Sequence, residues 1–306
     1  MSDNNSKGHV KSKRFDVEHA LSLYAYSYVI LPAHGIYEKD FIDLHRPVID
    51  TCHIYIIGFS PSVRLNSEKL ENGVLSTNYS VAGISHDLNW QAPQGAELVE
   101  EGDAVYVKDP SGQIFWPSNE QVLSYLGQAT DLEFQVKYIG QAFGKDGSRN
   151  ALDRLLKHET LQKIALKGTP EGKQLQVLLI SVQPNNQLLT QFNPQAENTN
   201  TSSERIQSGL DKLFNTDKKE QVALYEAAMI RYFQPEFNKE FKDSFPSTNL
   251  KILRDCYEKD FSGVVAEFFI DELPYKLCSE TVSPKIHHTA YHDLHDDADR
   301  KAFFAI

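Results

Sequence analysis

Cysteine is scarce in this chain. Three are spread over 306 residues, Cys52, Cys256 and Cys278, and no two form a C-x-x-C pair. That argues against a disulfide scaffold or a cysteine zinc site and leaves buried or half-buried thiols. Long hydrophobic runs are also missing. The longest mainly apolar stretches, Val177–Val182 and Val264–Ile270, are strand-sized, well short of the roughly 20 residues a membrane helix needs. Met1–Arg14 is polar and basic, with no apolar run behind it. No secretory signal is expected, and the chain reads as a soluble cytoplasmic protein. Positive charge is in deficit too: 31 Lys and Arg stand against 42 Asp and Glu, a net charge of -11. Proteins that coat nucleic acid are normally basic. Any contact with a polyanion would therefore run through a local basic groove on an acidic body.

What remains is ordinary globular material. Hydrophobic residues at 41% and charged residues at 24% are those of a globular protein, and 306 residues suit two domains, or one domain with large additions. Residues 1–14, rich in Ser, Asn and Lys, are aperiodic and expected to be disordered. Leu21, Tyr24, Tyr28 and Leu31 recur at helix-like spacing and predict a helix over Val17–Leu31, stopped by Pro32. A short helix is expected over 38–50. The run "CHIYIIGF", Cys52–Phe59, is β-branched and aromatic and predicts a buried strand. A β-rich module over 61–117 follows, with a turn at Asp109-Pro110-Ser111-Gly112, then a short helix near Glu120–Leu126. Further strands are expected at Phe134–Gln141, Leu175–Val182 and Gly263–Asp271. An amphipathic helix is expected from Asn150 to Leu166, ended by Gly168 and Pro170. Pro184–Ser203 reads as a mobile loop. Helical patterns resume at Ser203–Phe214 and Lys218–Phe233, the second closed by Pro235. The tail Pro284–Ile306 is expected to be partly helical. Residues 134–238 thus run strand, helix, strand, helices, an α/β order with one strand missing from a closed local unit.

Three blocks in this order carry chemistry. The first is "YIGQAFG" at Tyr138–Gly144. The second is "RLLKH" from Arg154 to His158, whose ends are four apart and share one helix face. The third is "EAAMIRYFQPEFN" from Glu226 to Asn238. Together they resemble the GIY-YIG nuclease superfamily over about 105 residues. The resemblance implies a GIY-YIG-like small central sheet flanked by helices, in an α/β (α+β) chain with a β-rich insert and extensions at both ends. It also implies a metal-dependent endonuclease that hydrolyses phosphodiester bonds in nucleic acid, DNA ahead of RNA. A role in defence against foreign DNA lies within the family's range.

The residue types suit that chemistry. Phosphodiester cleavage needs an attacking oxygen, a charge clamp on the phosphate and help for the leaving group. The Arg154 guanidinium can grip two phosphate oxygens at once. The Glu226 carboxylate can hold one Mg²⁺ (or Mn²⁺), with waters completing its shell. Tyr138 would line the site, and Gly140 would let the backbone approach the substrate. His158 and Asn238 complete the set that the resemblance implies. Lys145 and Arg149, in the loop after the first block, would meet a phosphate backbone. The family also carries a G-I-Y strand about ten residues earlier, and no tyrosine stands at that distance here. A literal "GIY" at Gly35–Tyr37 sits in a turn-like setting and reads as coincidence. "HIYIIG", His53–Gly58, is the better match. It assigns Tyr55 as the general base, puts His53 where the family has glycine, and makes 60–130 an insertion in the first hairpin. Loop-closure cost rises slowly enough with length to tolerate this.

The layout expected is an N-terminal extension over 1–50, partly disordered then helical; a nuclease domain over 51–60 plus 131–245; a β-rich insert over 61–130; and a C-terminal extension over 246–306. The alternative is a catalytically degenerate GIY-YIG-fold module that binds nucleic acid or protein. Two features are set aside. His287, His288, His292 and His295 among Asp293, Asp296, Asp297 and Asp299 would offer metal-ligand spacing on a helix, but a solvated acidic tail is the simpler reading. "GKDGS", Gly144–Ser148, lacks the Walker G-K-[ST] arrangement.

Overall fold

The computed structural model describes residues 16–102, 104–144, 149–157, 159–184, 189–192, 202–240, 262–294 and 303. The N-terminal 15 residues, Cys256, Lys145, His158, His295, Asp296, Asp297 and Asp299 lie outside the described residues.

Among the described residues an eight-stranded sheet forms the centre. It runs β13 (Lys276–Cys278), β9 (Glu133–Gln141), β2 (Ile54–Pro61), β10 (Lys173–Pro184), β1 (Val17–Pro32), β12 (Gly263–Phe268), β14 (His288–Asp293), with β11 (Leu189–Phe192) also paired to β1. The sheet is mixed and curled. β9, β2, β10 and β1 are mutually antiparallel neighbours, while β13 joins β9 and β12 joins β1 in parallel. Both of its faces are covered. On β2, Ile54 and Ile56 enter one apolar cluster while Tyr55, Ile57 and Phe59 enter the other; on β10, Leu178 and Ile180 oppose Val177 and Leu179 in the same way. Such two-sided burial follows from the period-2 pleat and explains the unbroken apolar runs.

The helix expected over Val17–Leu31 is instead the 16-residue strand β1. Tyr, Val and Ile fit a pleated strand better than a helix. Burial on both faces of the strand also removed the alternation that would have marked it. The N- and C-terminal segments, expected as extensions, therefore feed strands into the same sheet as β2, β9 and β10. The sheet is larger than the small one anticipated.

The segment after β2 is β-rich, as expected. β3 (Val63–Glu71), β4 (Val74–Val81) and β5 (Ile84–Gln91) form one antiparallel sheet; β6 (Glu97–Glu101), β7 (Ala104–Lys108) and β8 (Ile114–Phe115) form another. The Asp109 carboxylate accepts from the Ser111 and Gln113 backbones and closes the anticipated turn. Helix α1 (Lys39–Ile49) precedes β2, and α2 (Asn119–Ala129) returns the chain to β9.

Two further expectations change. The single helix over Asn150–Leu166 is two, α3 (Ala151–Leu155) and α4 (Glu159–Lys167). The loop Pro184–Ser203 contains β11. Helices α5 (Ser203–Phe214) and α6 (Lys218–Phe233) follow as predicted, and α7 (Glu236–Glu240) follows Pro235. The tail, expected to be partly helical, supplies strand β14, and Phe303 beyond it is helical. No described helix is long and apolar enough to cross a membrane.

Candidate active site

The site begins with a strand pairing. β2 and β9 run antiparallel, with Tyr55 opposite Gly140 and Ile57 opposite Tyr138. Two residues separate the tyrosines' register positions, so both rings rise from one face and stack with centroids 6.1 Å apart. Gly140 is required there. A Cβ on it would sit 2.5 Å from both Cζ and Oη of Tyr55 and 2.8 Å from Tyr138 Cε1. The missing side chain is the space in which the Tyr55 phenol lies.

Two helices bring the charged partners. The first, α3, is held by a capping box between Asn150 and Asp153 and by the Ala151 N–H donating to the Cys52 carbonyl. This anchors Arg154 beside the start of β2. The second, α6, opens with a capping box between Asp217 and Glu220 and ends at Gln234 in the left-handed region. Its neighbours Ala227, Ala228 and Ile230 are buried, as their composition predicted. Glu226 accepts a hydrogen bond from the Gln141 side-chain amide, next along β9 after Gly140.

The electrostatics couple these groups. Burial pushes the Glu226 carboxyl up from 4.5 to about 7, opposed by the Gln141 hydrogen bond and by the charge of Arg154. Burial pushes Tyr138 up to about 12, with the Glu226 charge adding to the rise and hydrogen bonding to Tyr55 and Thr160 opposing it. Tyr55 is raised well above the ordinary phenol value, first by burial, then by Tyr138 and Glu226, with Arg154 opposing. Tyr55, Tyr138, Arg154 and Glu226 thus sense one another across a single site.

No protein-family model, curated protein or solved structure matches this chain.

Other anticipated residues have different standings. Asn238 is consumed by structure: its Nδ2 donates to the Ile139 carbonyl and its Oδ1 accepts the Ile139 N–H, both at 2.9 Å. Together with the 2.8 Å ion pair of Lys137 to Glu236, this docks α7 on β9. Asn238 therefore fixes the backbone of Ile139, between Tyr138 and Gly140. Arg149 lines a cavity with Gln141, Phe143, Arg154 and Lys219. His53, where a family glycine was expected, places its Nδ1 3.0 Å from the Ala142 carbonyl and packs on Phe143; burial lowers its pKa.

Sequence reasoning missed Gln141 and Lys219. Gln141 lay inside the quoted first block, so the signal was there. Lys219 stands seven residues before Glu226, on the same helical face, and that spacing was the available signal. The histidine tail is resolved differently: His288 sits within 3.1 Å of Tyr232 Oη and of two backbone carbonyls, and His292 bonds the Ala228 carbonyl. Both lie on a strand, where residues four apart are about 13 Å apart, too far to share one ion.

A single half-buried carboxylate fits a hard, largely hydrated cation such as Mg²⁺ better than a transition metal. Among the described residues no group of three or more His, Cys, Asp or Glu gathers as an all-protein cage. Glu226 is the residue that would hold the ion, and the Gln141 carboxamide stands beside it.

Proposed function

We propose that this chain is a metal-dependent endonuclease of the GIY-YIG type, hydrolysing phosphodiester bonds in nucleic acid, DNA ahead of RNA. One observation carries the reading. Two phenols from adjacent strands, a guanidinium and a half-buried carboxylate, drawn from separate stretches of chain, are electrostatically coupled around a glycine that leaves room for them. An apolar core has no use for such a set, since each polar member costs free energy to bury.

In this reading Arg154 clamps the scissile phosphate and stabilises the charge that develops on it. Glu226 holds Mg²⁺ or Mn²⁺, which when bound supplies Lewis-acid charge at the phosphate. The buried tyrosines stay protonated at neutral pH. Tyr55 therefore orients the attacking water through its hydroxyl oxygen; to act as a base it would first have to give up its own proton, which the Arg154 charge favours. That same high phenol pKa is what favours the second reading, a binding module without turnover. Deciding between them takes plasmid and RNA substrates with Mg²⁺ or Mn²⁺, comparing wild type with Glu226→Ala and Arg154→Ala. Metal-dependent nicking lost in both variants supports the enzyme. Cutting that persists in both refutes the site, and substrate binding without cutting by wild type favours the module.

A further inference from the structure

Beside the tyrosines lies a cavity of about 200 Å³ lined by Gln141, Ala142, Phe143, Gly144, Arg149, Arg154 and Lys219. Among the described residues that line it, three are cations and none is acidic. Arg149, Arg154 and Lys219 are each half-buried, and none of them takes part in an ion pair among the described residues. On a protein of net charge -11 this is a marked local reversal of sign. Holding three like charges close together costs free energy, which a bound anion offsets.

Each cation has a separate origin. Arg149 comes from the loop after β9, Arg154 from α3 and Lys219 from the first turn of α6. The adjacent Lys218 is not part of the set: its ammonium donates to the Val182 carbonyl. The α6 N-terminus is closed by its own capping box, so side chains and not helix N–H groups face the anion. Glu226 is joined to the cavity through Gln141, and one carboxylate cannot balance three positive charges.

We infer that this cavity is a phosphate subsite in which Lys219 is the third cation, and that its charge suits the second negative charge a phosphodiester gains when hydroxide adds to it. The inference rests on the nuclease reading for its place in catalysis, but it makes a binding claim of its own. Lys219 would touch the substrate phosphate while the helix that carries it also presents Glu226, so one rigid element would set the distance between anion subsite and metal.

The test is calorimetric titration of the full-length protein with inorganic phosphate and with diphosphate, without metal. The proteins are wild type, Lys219→Ala, Lys219→Arg and Glu226→Gln, each checked for folding by circular dichroism. Loss of one charge-assisted contact should weaken phosphate binding about tenfold in Lys219→Ala. Lys219→Arg should restore it, and Glu226→Gln should retain it. Diphosphate should bind more tightly than phosphate in wild type. Equal affinity in wild type and Lys219→Ala, or no phosphate binding by wild type, overturns the subsite. A nuclease assay that fails while these titrations succeed overturns only the catalytic reading. Where cleavage is seen, Lys219→Ala should raise KM more than it lowers kcat.

Discussion

The most informative perturbation is Glu226→Gln. The folded protein holds this carboxyl's proton up to about 7, against 4.5 for a solvated glutamate. By linkage the difference is worth about 3 kcal/mol. The sign follows from the raised value. The folded state binds the proton more tightly, so the stabilisation is complete below pH 4.5 and is lost as pH climbs through about 7. Glutamine imitates the protonated acid at every pH and keeps an oxygen to accept the Gln141 amide. Wild type and variant should therefore have similar urea midpoints near pH 4, and the variant should be more stable by up to about 3 kcal/mol at pH 8. Mg²⁺ should raise the wild-type midpoint at pH 8 and leave that of the variant unmoved. Metal-dependent cleavage should rise through about pH 7 in wild type, as the carboxylate ionises, and be absent in the variant. A stability difference that is the same at pH 4 and pH 8 would refute the account of Glu226 as a buried, strained charge.

Two further substitutions probe the scaffold. Gly140→Ala puts a methyl 2.5 Å from the Tyr55 hydroxyl; it should cost about 1–3 kcal/mol and abolish activity by displacing the phenol, and a fully active, equally stable variant would contradict the packing described. Asn238→Ala strands the buried N–H and carbonyl of Ile139. It should cost about 2–4 kcal/mol in urea melts and lower cleavage by loosening β9, with Asn238→Asp recovering less than full stability because only the N–H regains a partner.

Local elements were largely legible. The apolar runs at Cys52–Phe59 and Phe134–Gln141, the turn at Asp109–Gly112 and the helices at Ser203–Phe214 and Lys218–Phe233 follow from side-chain shape, spacing and breakers within a few residues. β1 was misread because a strand buried on both faces shows no alternation, while Leu21, Tyr24, Tyr28 and Leu31 happened to fall at helical intervals. β14 was missed because the His and Asp of the tail suggested a solvated acidic segment, whereas His288 and His292 bond internal carbonyls.

The sequence by itself determined which chemistry was available: phenols, guanidinium and carboxylate in ordered blocks, with a glycine where a side chain would not fit. Only the tertiary structure decided that Tyr55 pairs across from Gly140 despite more than seventy intervening residues, that Asn238 is spent on a backbone peptide, and that Lys219 joins two arginines around one cavity. The physical reason is one of range. Propensity and periodicity act over a turn of helix or a few strand residues, while the register of distant strands and the burial of a carboxylate are set by how the whole sheet closes over its two cores.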